Sequence, residues 1–296
     1  MQWTGVISAI TTAFDADFRV DHAFLARHAR WQIEHGCDGI VALGSLGESA
    51  TLSFGEKTAI LKTLVAALGR KPVVAGIAAL STAEAVALAK AAEQAGCAAL
   101  MVLPPYVYSS DWREMKAHAQ AVLRATHLSC MLYNNPIAYK TDFLAPQIAE
   151  LAAENANLHA VKESSGDVRR ITAVKALCAD RLALFAGLDD MVVEAVRMGA
   201  VGWIAGLVNA LPQESVALFD CARRGETDKA DALYRWFLPL LRMDTVPKFV
   251  QLIKLVQQEV GMGNERVRPP RLPVAGAERE AALASIRAAL ASRPRL

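Results

Sequence analysis

Two residues in this chain have the type and the setting for covalent chemistry, Lys162 and Tyr133. Lys162 closes the short apolar run His159-Ala-Val-Lys and is followed at once by Glu163-Ser-Ser-Gly-Asp. In a strand, side chains alternate, so Ala160 and Lys162 share one face, where an amine is poorly solvated. A neutral lysine amine is the form that attacks carbonyls and imines to make a Schiff base. Tyr133 ends the preceding apolar run, Ser129-Cys-Met-Leu-Tyr, and Asn134-Asn-Pro follows. Parity puts Met131 and Tyr133 on one face, and a phenol beside a Schiff base can move protons. The competing reading makes Lys162 a snorkelling strand-end residue and Tyr133 a cap on the core. Ser45-Leu46-Gly47 offers a hydroxyl and backbone N–H groups to a substrate carboxylate, because a tight glycine turn lets an anion approach. An ordinary turn is its alternative. Glu48 reads as a structural residue that bonds loop amides. Lys140, seven residues beyond Tyr133, is a rival nucleophile, but it lies past Pro136 in a solvated loop. The six histidines form no H-x-x-x-H or H-E-x-x-H pattern, which favours packing roles over metal catalysis. The tryptophans have no regular spacing and read as packing.

The elements that must position these residues repeat. Gly5–Thr12 reads as a first strand, and Asp21 caps a helix that stops at Gly36. Gly39–Leu43 is a second strand, and Ser53-Phe-Gly-Glu56 is a capping box for a helix ending at Gly69. Pro72–Ala75 is a third strand, Ser81-Thr-Ala-Glu84 a second capping box, and Ala98–Leu103 a fourth strand. Asp111 opens the next helix, Leu128–Tyr133 is strand five, and Asp142 is expected to begin the helix before strand six, Leu158–Lys162. Asp167 is expected to cap the helix that follows. Leu182–Ala186 and Val201–Ala205 complete eight strands, and Pro212 sits in the first turn of the last barrel helix.

Eight strand-then-helix units in roughly 220 residues predict an α/β fold, a (β/α)8 TIM barrel. Apolar strands suit a parallel sheet covered on both faces, and no G-x-G-x-x-G follows strand one, which argues against an open doubly wound sheet. Residues 1–225 are read as the catalytic barrel and 226–296 as a C-terminal helical extension, with helices at Glu226–Leu241, Asp244–Val260 and Ala277–Leu290. Active sites of such barrels lie at the C-terminal strand ends. That gathers Ser45, Glu48, Tyr106, Tyr133, Lys162, Gly187 and Asp189 at one mouth.

Composition narrows the function classes. The chain has 296 residues, 53% of them hydrophobic, which supplies a large core. A net charge of +2, with both signs scattered, gives no footprint for nucleic acid or a membrane surface. Five widely spaced cysteines form no C-x-x-C pair, so reduced thiols in a cytoplasmic protein are expected. The start lacks the form of a signal peptide, and the longest apolar stretch is too short to span a bilayer.

Taken together, Gly44-Ser-Leu-Gly-Glu48, Tyr133-Asn-Asn-Pro136, Lys162-Glu-Ser-Ser-Gly166 and Gly187-Leu-Asp189 resemble the dihydrodipicolinate synthase/N-acetylneuraminate lyase family over nearly the whole chain. The resemblance implies a class I, lysine Schiff-base enzyme on a barrel, a homo-oligomer (tetramer or dimer), with a small-molecule carboxylate as substrate. It implies Lys162 as the Schiff-base lysine, Tyr133 as proton shuttle, and the Ser45–Leu46 turn as carboxylate site. Ser164, Gly187, Asp189 and Asp190 match positions that hold the substrate tail in the lyases, with Ile204 as a further contact. No metal or organic cofactor is expected, since the lysine supplies the electron sink. Three departures separate the chain from the synthase pattern: Ala138 at the arginine position, Ser45-Leu46 for two threonines, and Val107 for the second tyrosine of the loop after strand four. Tyr-Asn-Asn-Pro-Ile-Ala-Tyr-Lys and Lys-Glu-Ser-Ser-Gly-Asp-Val-Arg-Arg look instead like the hydroxyproline-degrading branch, the 1-pyrroline-4-hydroxy-2-carboxylate deaminases, which form 2-oxoglutarate semialdehyde. A pyruvate-dependent aldolase or lyase, dihydrodipicolinate synthase-like or acting on 2-keto-3-deoxy sugar acids, is the alternative on the same residues. A non-enzymatic keto-acid sensor is a third, disfavoured because binding alone needs no buried amine.

Overall fold

Runs rich in valine, isoleucine and alanine alternate with capped amphipathic segments, and each run becomes a strand with its helix packed outside it. The computed structural model describes residues 1–105 and 111–296. The strands are β1 (Gly5–Ala9), β2 (Gly39–Ala42), β3 (Val73–Ile77), β4 (Ala99–Val102), β5 (Ser129–Asn134), β6 (Leu158–Glu163), β7 (Ala183–Ala186) and β8 (Gly202–Ala205). They pair in parallel in chain order, and β8 returns to β1 to close a (β/α)8 barrel. Closure removes both sheet edges. It also lays Tyr133 beside Lys162 in the β5–β6 register.

Two apolar shells follow from strand parity. Ile7, Val41, Val74, Met101, Met131, Tyr133, Ala160, Phe185 and Ile204 point inward and fill the barrel. At its base Trp3 meets Phe185 edge to face, and the Trp3 indole donates to Ser129 Oγ at 2.7 Å. The opposite strand faces pack against the surrounding helices in one continuous core. The C-terminal helices Thr227–Leu241, Phe249–Glu259 and Gly276–Ala291 join that core through Phe237, Leu240, Ile253 and Ile286. Among the described residues, no helix is long and apolar enough to cross a membrane.

The expected caps at Asp21, Ser53 and Asp111 accept from the backbone N–H three residues on, and the Ser53/Glu56 box is reciprocal. At Ser81 only the serine half of the box is formed. Asp142 does not begin a helix. Pro146 lacks an N–H and is tolerated only in a first turn, so that helix is Ala145–Glu154. Asp142 instead holds Arg170 through both oxygens, at 2.5 and 2.8 Å. Asp167 accepts from Arg169 N inside a tight turn, and the helix starts at Arg169. Asp244 lies in the 3-10 turn Arg242–Asp244, apart from the helix that begins at Phe249.

Candidate active site

Lys162 leaves β6 on the inward face shared with Ala160, and its residue is 6% exposed. Its Nζ stands 4.2 Å from the centre of the Tyr133 ring on the adjacent strand. The Tyr133 hydroxyl accepts from Asn135 Nδ2 at 3.0 Å, while Asn135 Oδ1 caps the one-turn helix Pro136–Tyr139 by accepting from Ala138 N. One asparagine thus orients the phenol and fixes the turn beyond it. Lys140, the rival nucleophile, is exposed at the end of the same turn.

Tyr139 had no role in the sequence reading. Its ring packs edge to face on Tyr133, with centroids 5.8 Å apart, and its hydroxyl is hydrogen-bonded to Ser45 Oγ. A second phenol therefore joins the Ser45–Leu46 turn to Tyr133. Its signal was an aromatic one helical turn beyond a proline-started cap. Tyr106 and Val107 lie outside the described residues.

The Ser45–Leu46 turn is held in an unusual backbone conformation, with Leu43 at φ +62° and Glu48 at φ +56°. Such non-glycine conformations persist only where surrounding contacts enforce them. Here Leu46 is buried in the apolar core, and the Glu48 carboxylate takes Lys254 Nζ at 2.5 Å and Arg268 N at 3.0 Å. Lys254 also bonds the Arg266 carbonyl and lies over the Phe14 ring, so the C-terminal segment clamps the turn from outside. No acceptor among the described residues meets the N–H of Ser45 or Leu46, which leaves both free for an anion.

Gly187 makes room at the mouth. A Cβ there would stand 1.8 Å from Ser164 Oγ and 3.0 Å from Lys162 Cε. Ser164 Oγ is buried there and has no hydrogen-bond partner among the described residues. Ile204 lies in the inward layer on β8. Asp189, expected at the substrate tail, is otherwise engaged. Its oxygens accept from Trp203 Nε1 at 3.0 Å, from Gly206 N, and from Leu207 N at 2.7 Å. It ties β7 to the turn after β8. Burial pushes its carboxyl up to about 6, against the downward pull of these N–H donors and of Lys162. Asp190 is partly buried beside Arg242, at 4.0 Å.

Residues 2–289 match the model of the dihydrodipicolinate synthetase family. The chain belongs to that family. Among the family's curated members, the 4-hydroxy-tetrahydrodipicolinate synthase of Moorella thermoacetica is 32% identical over 281 residues, covering 95% of each chain. The synthase of Alcanivorax borkumensis is 32% identical over 274 residues, 92% of this chain and 93% of the other. In three dimensions, the synthase of Methylacidiphilum fumariolicum SolV superposes with a TM-score of 0.93 at 26% identity, over 98% of both chains. A chloride-inhibited dihydrodipicolinate synthase from Acinetobacter baumannii, complexed with pyruvate, gives 0.92 at 29% identity over 97% of this chain and 99% of that one. This dihydrodipicolinate synthetase family member is therefore an enzyme of the lyase class on a (β/α)8 barrel.

Proposed function

We propose that the enzyme deaminates 1-pyrroline-4-hydroxy-2-carboxylate to 2-oxoglutarate semialdehyde and ammonia, using Lys162 as Schiff-base nucleophile and Tyr133 as proton shuttle. The observation that carries the reading is Ala138. It sits exposed on the rim turn, next to Tyr139, and presents a methyl group where a guanidinium fork would hold a second carboxylate. A compact ring with one carboxylate needs no such fork. The free N–H groups of the Ser45–Leu46 turn, beside the Ser45 and Tyr139 hydroxyls, suit that single carboxylate.

The steps use the geometry in order. Lys162 adds to C2 of the cyclic imine and the ring nitrogen leaves C2, opening the ring. Tyr133, in reach of the Lys162 amine, moves the C3 proton, with the imine as electron sink. The C4 hydroxyl departs and leaves a C3–C4 double bond conjugated with the imine. Loss of a C5 proton and protonation at C3 and C4 turn the C5 amine into an imine. Hydrolysis at C5 and C2 then releases ammonia, forms the aldehyde and frees Lys162. Ser164 Oγ, buried beside Lys162, is available to a polar substrate atom.

A pyruvate-dependent condensation or cleavage is the second reading, and the names of the relatives above favour it. One panel separates the two. With the pyrroline substrate, ammonia and a semialdehyde, read through a coupled semialdehyde dehydrogenase, are expected to form together. Condensation of pyruvate with aspartate semialdehyde is expected to be absent or orders of magnitude slower. Efficient condensation, or pyruvate release from a sugar acid without ammonia, would replace the deaminase with the aldolase.

A further inference from the structure

Gly206 occupies an inward position two residues beyond Ile204, and the space its side chain would fill is taken by another residue. A Cβ on Gly206 would stand 2.2 Å from Asp244 Oδ1. That carboxyl arrives from the turn Arg242–Asp244 in the C-terminal region. On the neighbouring strand, Gly187 cedes its space to Lys162 and Ser164 in the same manner. Two glycines at adjacent strand ends therefore bring a nucleophilic amine and a carboxyl to one mouth. No salt bridge and no hydrogen bond to the Asp244 carboxyl is made among the described residues, so its oxygens are available to a ligand.

We propose that Asp244 is a catalytic acid that protonates the C4 hydroxyl of the ring-opened substrate as it leaves. The inference rests on the deaminase reading above. In this step the enamine nitrogen re-forms its double bond to C2, and the C2–C3 pair shifts to C3–C4. The C4–O bond breaks with its electrons on oxygen, and the Asp244 proton joins that oxygen. Water leaves, Asp244 is left as a carboxylate, and no oxidant or reductant is required. Hydroxide is a poor leaving group, so the step needs an acid, and Lys162 is already committed to the imine.

The surroundings keep Asp244 in the acid form. Asp189 beside it is held as the anion by the N–H groups of Trp203, Gly206 and Leu207, and adjacent carboxylates do not readily both ionise. Burial holds the Asp244 carboxyl well above the usual carboxylate range; Asp189 and Asp190 push it the same way and Lys162 opposes them. Arg242 faces Asp190.

The leaving group provides the test, because fluoride departs without a proton. Wild-type enzyme, Asp244→Asn and Gly206→Ala, which displaces the carboxyl without altering it, are assayed on 1-pyrroline-4-hydroxy-2-carboxylate and on its 4-fluoro analogue. Borohydride trapping of pyruvate on Lys162 verifies that each variant retains its site. Both variants are expected to lose roughly 10²–10⁴-fold in ammonia release from the hydroxy substrate and to stay within about tenfold of wild type on the fluoro substrate. Equal losses on both substrates, or no loss on the hydroxy substrate, would overturn the acid assignment alone. Wild-type enzyme that releases no ammonia from either would remove the deaminase reading, and this inference with it.

Discussion

A lysine over a phenol ring, with both side chains almost wholly buried, is a costly arrangement unless the amine has a task. Lys162 is the inward lysine at the mouth, whereas Lys140 is exposed. Borohydride reduction in the presence of pyruvate or substrate should therefore add mass only to the peptide containing Lys162, and Lys162→Ala should lose both adduct and turnover. An adduct on Lys140 would reverse the assignment. Tyr133→Phe keeps the ring that packs on Tyr139 and removes the hydroxyl bonded to Asn135. Imine trapping should survive in that variant while turnover falls by roughly 10²–10⁴-fold. A rate close to wild type would reduce Tyr133 to a packing residue.

Among the elements, the loop from Leu43 to Glu48 depends on a distant part of the chain. Its Glu48 and Lys254 are 206 positions apart and both essentially solvent-free. Burial lowers the Lys254 pKa, and Glu48 opposes that shift, so the amine leans on its partner. Removing one member of a buried pair strands the other charge, at a typical cost of about 3–5 kcal/mol. Lys254→Met should lower the unfolding free energy by that order in urea, and should also weaken carboxylate binding because the Ser45 turn loses its clamp. The double variant with Glu48→Gln should recover part of the stability, since no buried charge is then left alone. A loss below about 1 kcal/mol in the single variant would show that Arg268 and Arg271 suffice to hold Glu48.

Across the whole molecule, the junction between the first barrel helix, the turn after β8 and the C-terminal helices is polar and buried. His28 Nε2 meets the Asn209 carbonyl at 2.8 Å, while Asn209 Oδ1 receives Thr11 N and Gln32 Nε2 and its Nδ2 bonds the carbonyls of Ala9 and Gly206. Burial lowers the His28 pKa to about 4, only partly offset by its bond to Asn209. The unfolded chain then binds one more proton than the folded one between about pH 4 and 6.5. The histidine's contribution is complete above pH 6.5 and is lost as pH falls toward 4, by about 2 kcal/mol at pH 5. Asp189 works in the opposite sense, since its raised carboxyl binds a proton more readily when folded. The total profile therefore hides the histidine, and a difference measurement isolates it. Unfolding free energy of wild type minus that of His28→Gln should rise with pH across that window. A flat difference would mean that His28 is already charged in the folded protein.

The alternation of strands and helices was legible because each element carries its own instructions: β-branched runs, capping residues, and glycines at helix ends. The placement of Lys162 beside Tyr133 was legible for a related reason, since consecutive parallel strands pair in chain order and parity then sends both side chains inward. Local signals also misled where a distant partner prevailed. Asp142 has the form of a cap, but Arg170 and the position of Pro146 decide otherwise. For Asp189, which the resemblance puts at the substrate tail, tertiary structure adds the indole of Trp203 and the N–H groups after β8 as partners. The contact of Tyr139 with Ser45, the clamp of Lys254 on Glu48, and the carboxyl of Asp244 in the space above Gly206 join residues 38 to 206 positions apart. No periodicity encodes such contacts. They exist only after the barrel has closed and the C-terminal helices have docked on it, because burial in that assembled core is what brings the partners together.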